Sequence, residues 1–111
     1  MPLVAGILWN RLLVDMRLEV DATIQYAIGN EEDGWWRQIT SDDRWLESPY
    51  NTYRSVGLPP HAIANPGLDA IEAVIYPQPT NCLFYIHDRS RNIHCAATFE
   101  QHQRNISIYL R

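Results

Sequence analysis

The stretch from Ser48 to Gly67, SPYNTYRSVGLPPHAIANPG, leaves its backbone fewer choices than any other part of the chain. It holds four of the seven prolines, Pro49, Pro59, Pro60 and Pro66, together with Gly57 and Gly67. Proline locks φ, removes a backbone donor and pushes the preceding residue to extended geometry. Ser48, Leu58, Pro59 and Asn65 are therefore expected to be extended, and the segment to be a stiff, irregular ribbon. Such a ribbon can hold Tyr50, Asn51, Thr52 and Tyr53 at fixed positions for a polar ligand. It can equally be a packed connector between two helices, and the residues alone leave both readings open.

At 111 residues the chain is expected to form a single domain, 1–111, around one core. A hydrophobic fraction of 46% and a charged fraction of 20% argue against disorder. A net charge of −4 with scattered basic residues argues against nonspecific nucleic-acid binding, which needs a basic face. No apolar run approaches a membrane span and no signal peptide opens the sequence, so no membrane contact by the chain itself is expected. Val4, Ile7 and Leu8 follow Met1 as if a helix were already under way, as in a chain cut from a longer one. Cys82 and Cys95 have no CxxC spacing and are expected to be free, buried thiols. A cross-strand disulfide would require an oxidising compartment.

The periodicity predicts an α+β chain. Leu3 to Val14 carries Val4, Ile7, Leu8 and Leu12 at helical spacing. Met16, Leu18 and Val20 alternate with polar residues and read as an extended link. Asp21 is expected to cap a second helix running to Asn30. Residues 30–47 are irregular, acidic and rich in tryptophan, and read as a surface loop with partly buried indoles. After the ribbon, Asn65-Pro66-Gly67 reads as a helix start with Asn as cap, and Leu68, Ile71, Val74 and Ile75 as the apolar face of that helix. Pro77 and Pro79 stop it. Cys82–His87 and Ile93–Ala97 read as a β-hairpin about a turn at residues 88–92. Thr98 and Gln101 have capping-box spacing and open a last helix expected to bury Phe99, Ile106, and Tyr109 or Leu110. The order is two N-terminal helices, Pro-rich ribbon, helix, β-hairpin and C-terminal helix.

Chemistry is sparse in this pattern. There is no Gly-rich phosphate loop, no HExxH and no GxSxG. His61, His87, His94 and His102 lack tight ligand spacing, so no metal and no cofactor is expected. His94 and His102 could converge across the strand-to-helix junction, where hydrogen bonding is the simpler role. Asp21 and Glu47 are the carboxylates to consider for acid–base work on a glycoside, although Asp21 is explained as a cap. The residues themselves thus reach a polar ligand-binding surface on the ribbon with no catalytic group.

Three segments resemble the catalytic domain of the endolytic murein transglycosylase family. Val4 to Leu18, VAGILWNRLLVDMRL, is similar to its helix ending in Asn-Arg-Leu, followed by a Met-Arg-Leu or Met-Pro-Leu turn. DATIQYAIG, from Asp21, is similar to its Asp-x-Thr-x-x-Tyr segment, with Ala22 where the family usually has Pro. The ribbon resembles its block of Ser-x-Tyr-Asn-Thr-Tyr, Gly-Leu-Pro-Pro, Ile and Pro-Gly. His94, Thr98 and His102 fall near a His, a Thr and a His of the family pattern. Ala96 stands where an aromatic is usual, and the spacing to His102 is one residue short.

The resemblance implies a lytic transglycosylase that cleaves the MurNAc–GlcNAc bond of peptidoglycan and leaves a 1,6-anhydro-MurNAc end. It implies glycan strands as substrate, cell-wall synthesis proteins as partners, and a location on the extracytoplasmic face of the membrane for the whole protein. The family's catalytic Glu lies N-terminal of the Asn-Arg-Leu helix, so this chain alone is expected to be inactive. Asn10, Asp21, Thr23, Tyr50, Asn51, Thr52 and Tyr53 are implied as the substrate-binding residues. Arg11 is expected to make a structural salt bridge or to hydrogen-bond the ribbon. A glycan- or partner-binding module without activity is the alternative, with the acidic tryptophan segment as its contact surface. An older assignment of the family to aminodeoxychorismate lyase chemistry needs a Schiff-base Lys, and all nine basic residues here are Arg.

Overall fold

The computed structural model describes residues 2–32 and 34–110. Among them are helices α1 (Pro2–Leu13), α2 (Asp21–Ile28), α3 (Leu68–Ile75) and α4 (Phe99–Tyr109), strands β1 (Phe84–His87) and β2 (Ile93–Ala96), and a 3-10 turn at Asp42–Trp45. The fold is α+β in the predicted order, and residues 46–67 form neither helix nor strand. The chain divides into two compact units, Met1–Arg11 with Pro66–Arg111, and Leu12–Asn65.

In the first of these units β1 and β2 pair antiparallel, with Phe84 opposite Ala96 and Ile86 opposite His94, and α4 packs on both strands. The turn is closed by Asp88, whose carboxylate accepts from the backbone N–H of Ser90 and Asn92 at 2.8 and 2.9 Å. Arg91 takes a positive φ of 66° there. Cys82 and Cys95 form a disulfide, so the expectation of free thiols does not hold. The hairpin register brings Cys95 opposite Tyr85, close enough to the base of β1 for the two sulfurs to meet. Ala96, 1% exposed, faces Phe84, so a small residue suits this position of the register.

Helix α1 keeps its expected span with a shifted inner face. Ala5, Gly6, Ile7 and Arg11 are buried, while Val4, Leu8 and Leu12 are only half-buried. Gly6 is needed because a Cβ there would collide with the carbonyl oxygen of Gln78. Arg11 is buried because its Nε donates to the Leu83 carbonyl at 2.6 Å and its guanidinium lies 5.2 Å from the Phe84 ring centre. This hydrogen bond ties α1 to the segment entering β1.

Two further expectations for this unit are corrected. Helix α3 begins at Leu68 with Gly67 as an extended cap and no side-chain hydrogen bond, so Asn65 does not cap it. Leu68, Ile71, Val74 and Ile75 are exposed and Ala73 is the buried residue, because α3 packs through its small side chains. In α4 the Thr98 hydroxyl accepts from the Gln101 N–H at 3.2 Å, as the capping box requires. Phe99, Tyr109 and Leu110 nevertheless stay exposed. His94 stacks on Tyr109 with ring centres 3.5 Å apart. His102 stacks on Phe84 at 5.1 Å, so both histidines act within the packing of the hairpin and α4.

In the second unit α2 begins one residue earlier than the cap reading requires. Val20 is the extended cap residue and Asp21 the first residue of the helix, with no side-chain cap bond. Helix α2 ends at Ile28, with Gly29 as its C-cap donating to the Gln25 carbonyl. Ile24 is fully buried and Leu18 nearly so. The tryptophans of the acidic segment, Trp35, Trp36 and Trp45, are all exposed rather than partly buried. Gly57 adopts a φ of 93° within the ribbon, a conformation that a side chain would disfavour.

Candidate functional site

The ribbon is anchored from inside by Asn51 and Thr52. Asn51 has no exposed surface. Its amide donates to the carbonyls of Arg44 and Leu46 at 3.0 and 2.8 Å, and its Oδ1 accepts from the Tyr53 N–H at 3.0 Å. An amide side chain can satisfy backbone groups on two segments at once, which apolar residues of the same size cannot. The segment 44–46 is thereby tied to the turn 48–55, where the N–H groups of Arg54 and Ser55 both point to the Asn51 carbonyl.

Thr52 is almost as buried, and its hydroxyl accepts from the Val20 N–H at 2.9 Å. It lies 2.9 Å from the Thr23 hydroxyl, which donates to the Val20 carbonyl at 2.7 Å. The Thr52 carbonyl accepts from the Glu19 N–H. Glu19 has a positive φ of 53°, and this bond helps hold it there. Thr52 therefore satisfies a backbone donor that α2 leaves open at its N-terminus. Asp21, expected as the cap, makes no such bond.

Asp21 is left available at the surface. It accepts the Tyr53 hydroxyl at 2.6 Å, a short charge-assisted hydrogen bond. Burial of the phenol, followed by this bond and the Asp21 charge, pushes the Tyr53 pKa up, so the hydroxyl stays protonated. Tyr50 is half-buried, with its ring centre 5.2 Å from that of Tyr26, which in turn lies 6.3 Å from Trp35.

Of the seven residues singled out from the sequence, six therefore lie in one unit. Asp21, Tyr50 and Tyr53 retain exposed surface, whereas Thr23, Asn51 and Thr52 are enclosed and hold them in place. Asn10 belongs to the other unit, where its amide donates to the carbonyls of Thr80 and Cys82 at 2.8 and 3.0 Å. Glu47 is exposed and lies 3.8 Å from Arg54. Sequence reasoning missed the arginines beside Tyr53. Arg44 places its guanidinium 5.0 Å from the Tyr53 ring centre, and Arg17 donates to the Tyr53 carbonyl at 3.4 Å. The sequence carries no signal for them, since Arg17, Arg44 and Arg54 are ten or more residues apart.

The model of the YceG-like family matches residues 1–108. The chain belongs to that family. It is 32% identical over 107 residues to the endolytic murein transglycosylase of Bacillus subtilis, covering 96% of this chain and 29% of that protein. It is 35% identical over 110 residues to the endolytic murein transglycosylase of Streptococcus pneumoniae, covering 97% of this chain and 20% of that one. The crystal structure of a yceG-like protein from Listeria monocytogenes superposes with a TM-score of 0.83 at 35% identity, covering 93% of this chain and 33% of its own. The chain thus spans a third or less of the length of the relatives named here, and in the two transglycosylases it corresponds to the C-terminal part.

Proposed function

We propose that this YceG-like chain is the glycan-cleft portion of a peptidoglycan lytic transglycosylase that cuts inside glycan strands. The observation that carries the reading is similarity over nearly the whole chain to two proteins named endolytic murein transglycosylase. In this reading a carboxylic acid, supplied by a Glu on a preceding segment, protonates the oxygen leaving C1 of MurNAc. The resulting carboxylate then takes the proton of the sugar's own 6-hydroxyl as that oxygen attacks C1. The C1–O bond to GlcNAc breaks, the 1,6-anhydro bond forms, and no water is consumed. Charge that develops on the ring in an oxocarbenium-like transition state calls for fixed dipoles nearby.

Asp21, Tyr50 and Tyr53 are the proposed contacts with sugar. The Asp21–Tyr53 pair offers a carboxylate and a phenol to hydroxyl groups, and Tyr50 offers a ring face. Thr23, Asn51 and Thr52 are proposed to position them, and Asn10 to shape the approach to β1. The Cys82–Cys95 disulfide fits a protein working in an oxidising, extracytoplasmic compartment. No helix among the described residues is long and apolar enough to cross a membrane.

The test is muropeptide analysis after purified peptidoglycan is incubated with this chain and with a version extended toward the N-terminus. Anhydro-ended products from the extended protein alone are the expected result. Their absence from both, with the extended protein folded, would overturn the reading. A second reading, a glycan-binding module without activity, is favoured by the exposed indoles of Trp35, Trp36 and Trp45. It predicts retention on insoluble peptidoglycan without any product.

A further inference from the structure

Within the Leu12–Asn65 unit a cavity of about 580 Å³ opens to solvent and is lined by Arg17, Ser41, Arg44, Trp45, Tyr53 and Arg54. Among the described residues no carboxylate lines it, although acidic residues outnumber basic ones thirteen to nine in the chain. Three arginines therefore line one hollow of a protein with net negative charge. Their bonds to the protein leave them oriented. The Arg54 guanidinium donates to the Trp45 carbonyl at 3.0 Å, and Arg44 rests on the face of Tyr53. The pair of Arg54 with Glu47 spans 3.8 Å at a carboxylate 88% exposed, so a stronger acceptor displaces it at little cost.

We infer that this cavity binds a free carboxylate of a short peptide, and specifically the stem peptide carried by MurNAc in peptidoglycan. Guanidinium forks match a planar carboxylate through paired hydrogen bonds. The volume is that of a small-molecule pocket and exceeds what a lone inorganic anion fills. The walls point the same way. Trp45, 76% exposed, and the Tyr53 ring offer apolar faces suited to the methyl and amide groups of a peptide. Tyr53 joins the two regions, with its ring under Arg44 and its hydroxyl on Asp21. A MurNAc residue at Asp21 and Tyr53 would thus have its peptide directed to the arginines. The assignment to peptidoglycan rests on the transglycosylase reading; the preference for a peptide carboxylate rests on the cavity alone.

Binding to the 111-residue chain is measured by calorimetry with four probes: disaccharide-tetrapeptide, the same molecule with its carboxylates amidated, the free tetrapeptide, and peptide-free glycan. The acid forms are expected to bind roughly tenfold more tightly than the amidated one. Arg44→Gln should erase that difference and Arg44→Lys should retain part of it. Ser41→Asp, which puts a carboxylate into the cavity, should weaken the acid peptides and leave peptide-free glycan unchanged. Equal affinity for acid and amidated forms, no effect of Arg44→Gln in a folded protein, or displacement of the peptide by an equal concentration of inorganic phosphate would overturn the inference. If glycan binds and the peptide arms fail, the cavity assignment falls while the transglycosylase reading stands. If the acid tetrapeptide binds through Arg44 and glycan does not, the cavity stands and that reading falls.

Discussion

Around Asn51 the backbone is held by enclosed amide and hydroxyl groups, while around Cys95 it is held by a disulfide, stacked rings and a buried alanine. The ribbon has no ladder to satisfy its N–H and C=O groups, so side chains must do it one by one. The hairpin satisfies its own backbone and needs only side-chain packing and a covalent tie. A loop built on buried polar groups keeps one shape, because any displacement leaves a donor or acceptor without a partner. That rigidity suits the proposed presentation of Asp21, Tyr50 and Tyr53 in a set arrangement.

The contrast breaks most readily at Asn51. Asn51→Ala leaves two carbonyls and one N–H without their partner and should cost roughly 3–4 kcal/mol, read as a fall in the urea midpoint. A loss below about 1 kcal/mol would mean that the ribbon is held by other means. Next is the hairpin tie. Replacing both Cys82 and Cys95 by Ser opens a closure between residues 13 apart and should cost about 3 kcal/mol. Amide exchange should rise in β1 and β2 and stay unchanged at Asn51 and Thr52. If exchange rises equally in both places, the two regions are not stabilised separately.

Thr52→Val should cost about 1–2 kcal/mol, because the Val20 N–H loses its acceptor and the Thr23 hydroxyl oxygen loses a donor. The same change at exposed Ser55 should be close to neutral, and equal effects at both would remove Thr52 from the framework.

Acid separates the regions by charge. The bond to His94, followed by those from the N–H groups of Asn92 and Ser90, holds the Asp88 carboxyl below its ordinary pKa of 3.8. Its stabilisation is fully present above that value and is lost as pH falls through the lowered pKa of the folded state. Asp43 is lowered too, first by the Thr40 N–H and also by Arg37. Asp88→Asn should therefore flatten the acid limb of unfolding in part and leave the part due to Asp43. An unchanged limb in that variant would exclude Asp88. The smallest effect on stability is expected from Tyr53→Phe, under about 1 kcal/mol for a partly exposed hydroxyl. Glycan binding, measured by calorimetry, should still weaken. Undiminished binding would remove the Asp21–Tyr53 pair from the site.

Much of this was legible without coordinates. The prolines announced the irregular ribbon, the helical spacing announced α1 and α3, and Thr98 with Gln101 announced the start of α4. The polar run Tyr50 to Tyr53 marked the region of the proposed site, yet it did not divide it into exposed and enclosed residues. That division depends on partners more than twenty residues away, such as Thr23 and Val20 for Thr52. Asp21 illustrates the limit. Its position before a helix reads as a cap, but Val20 is the cap residue and Asp21 accepts the Tyr53 hydroxyl instead.

What the sequence determined by itself was local: where φ is restricted, where a helix can start or stop, and which family the chain resembles. Tertiary structure alone decided that α3 turns Ala73 inward and its large aliphatic residues outward. It also decided that two cysteines meet and that three scattered arginines line one cavity. The physical reason is the range of the forces. Dihedral limits and capping act within a few residues, whereas burial, disulfide pairing and charge convergence depend on which distant segments the folded chain brings into contact.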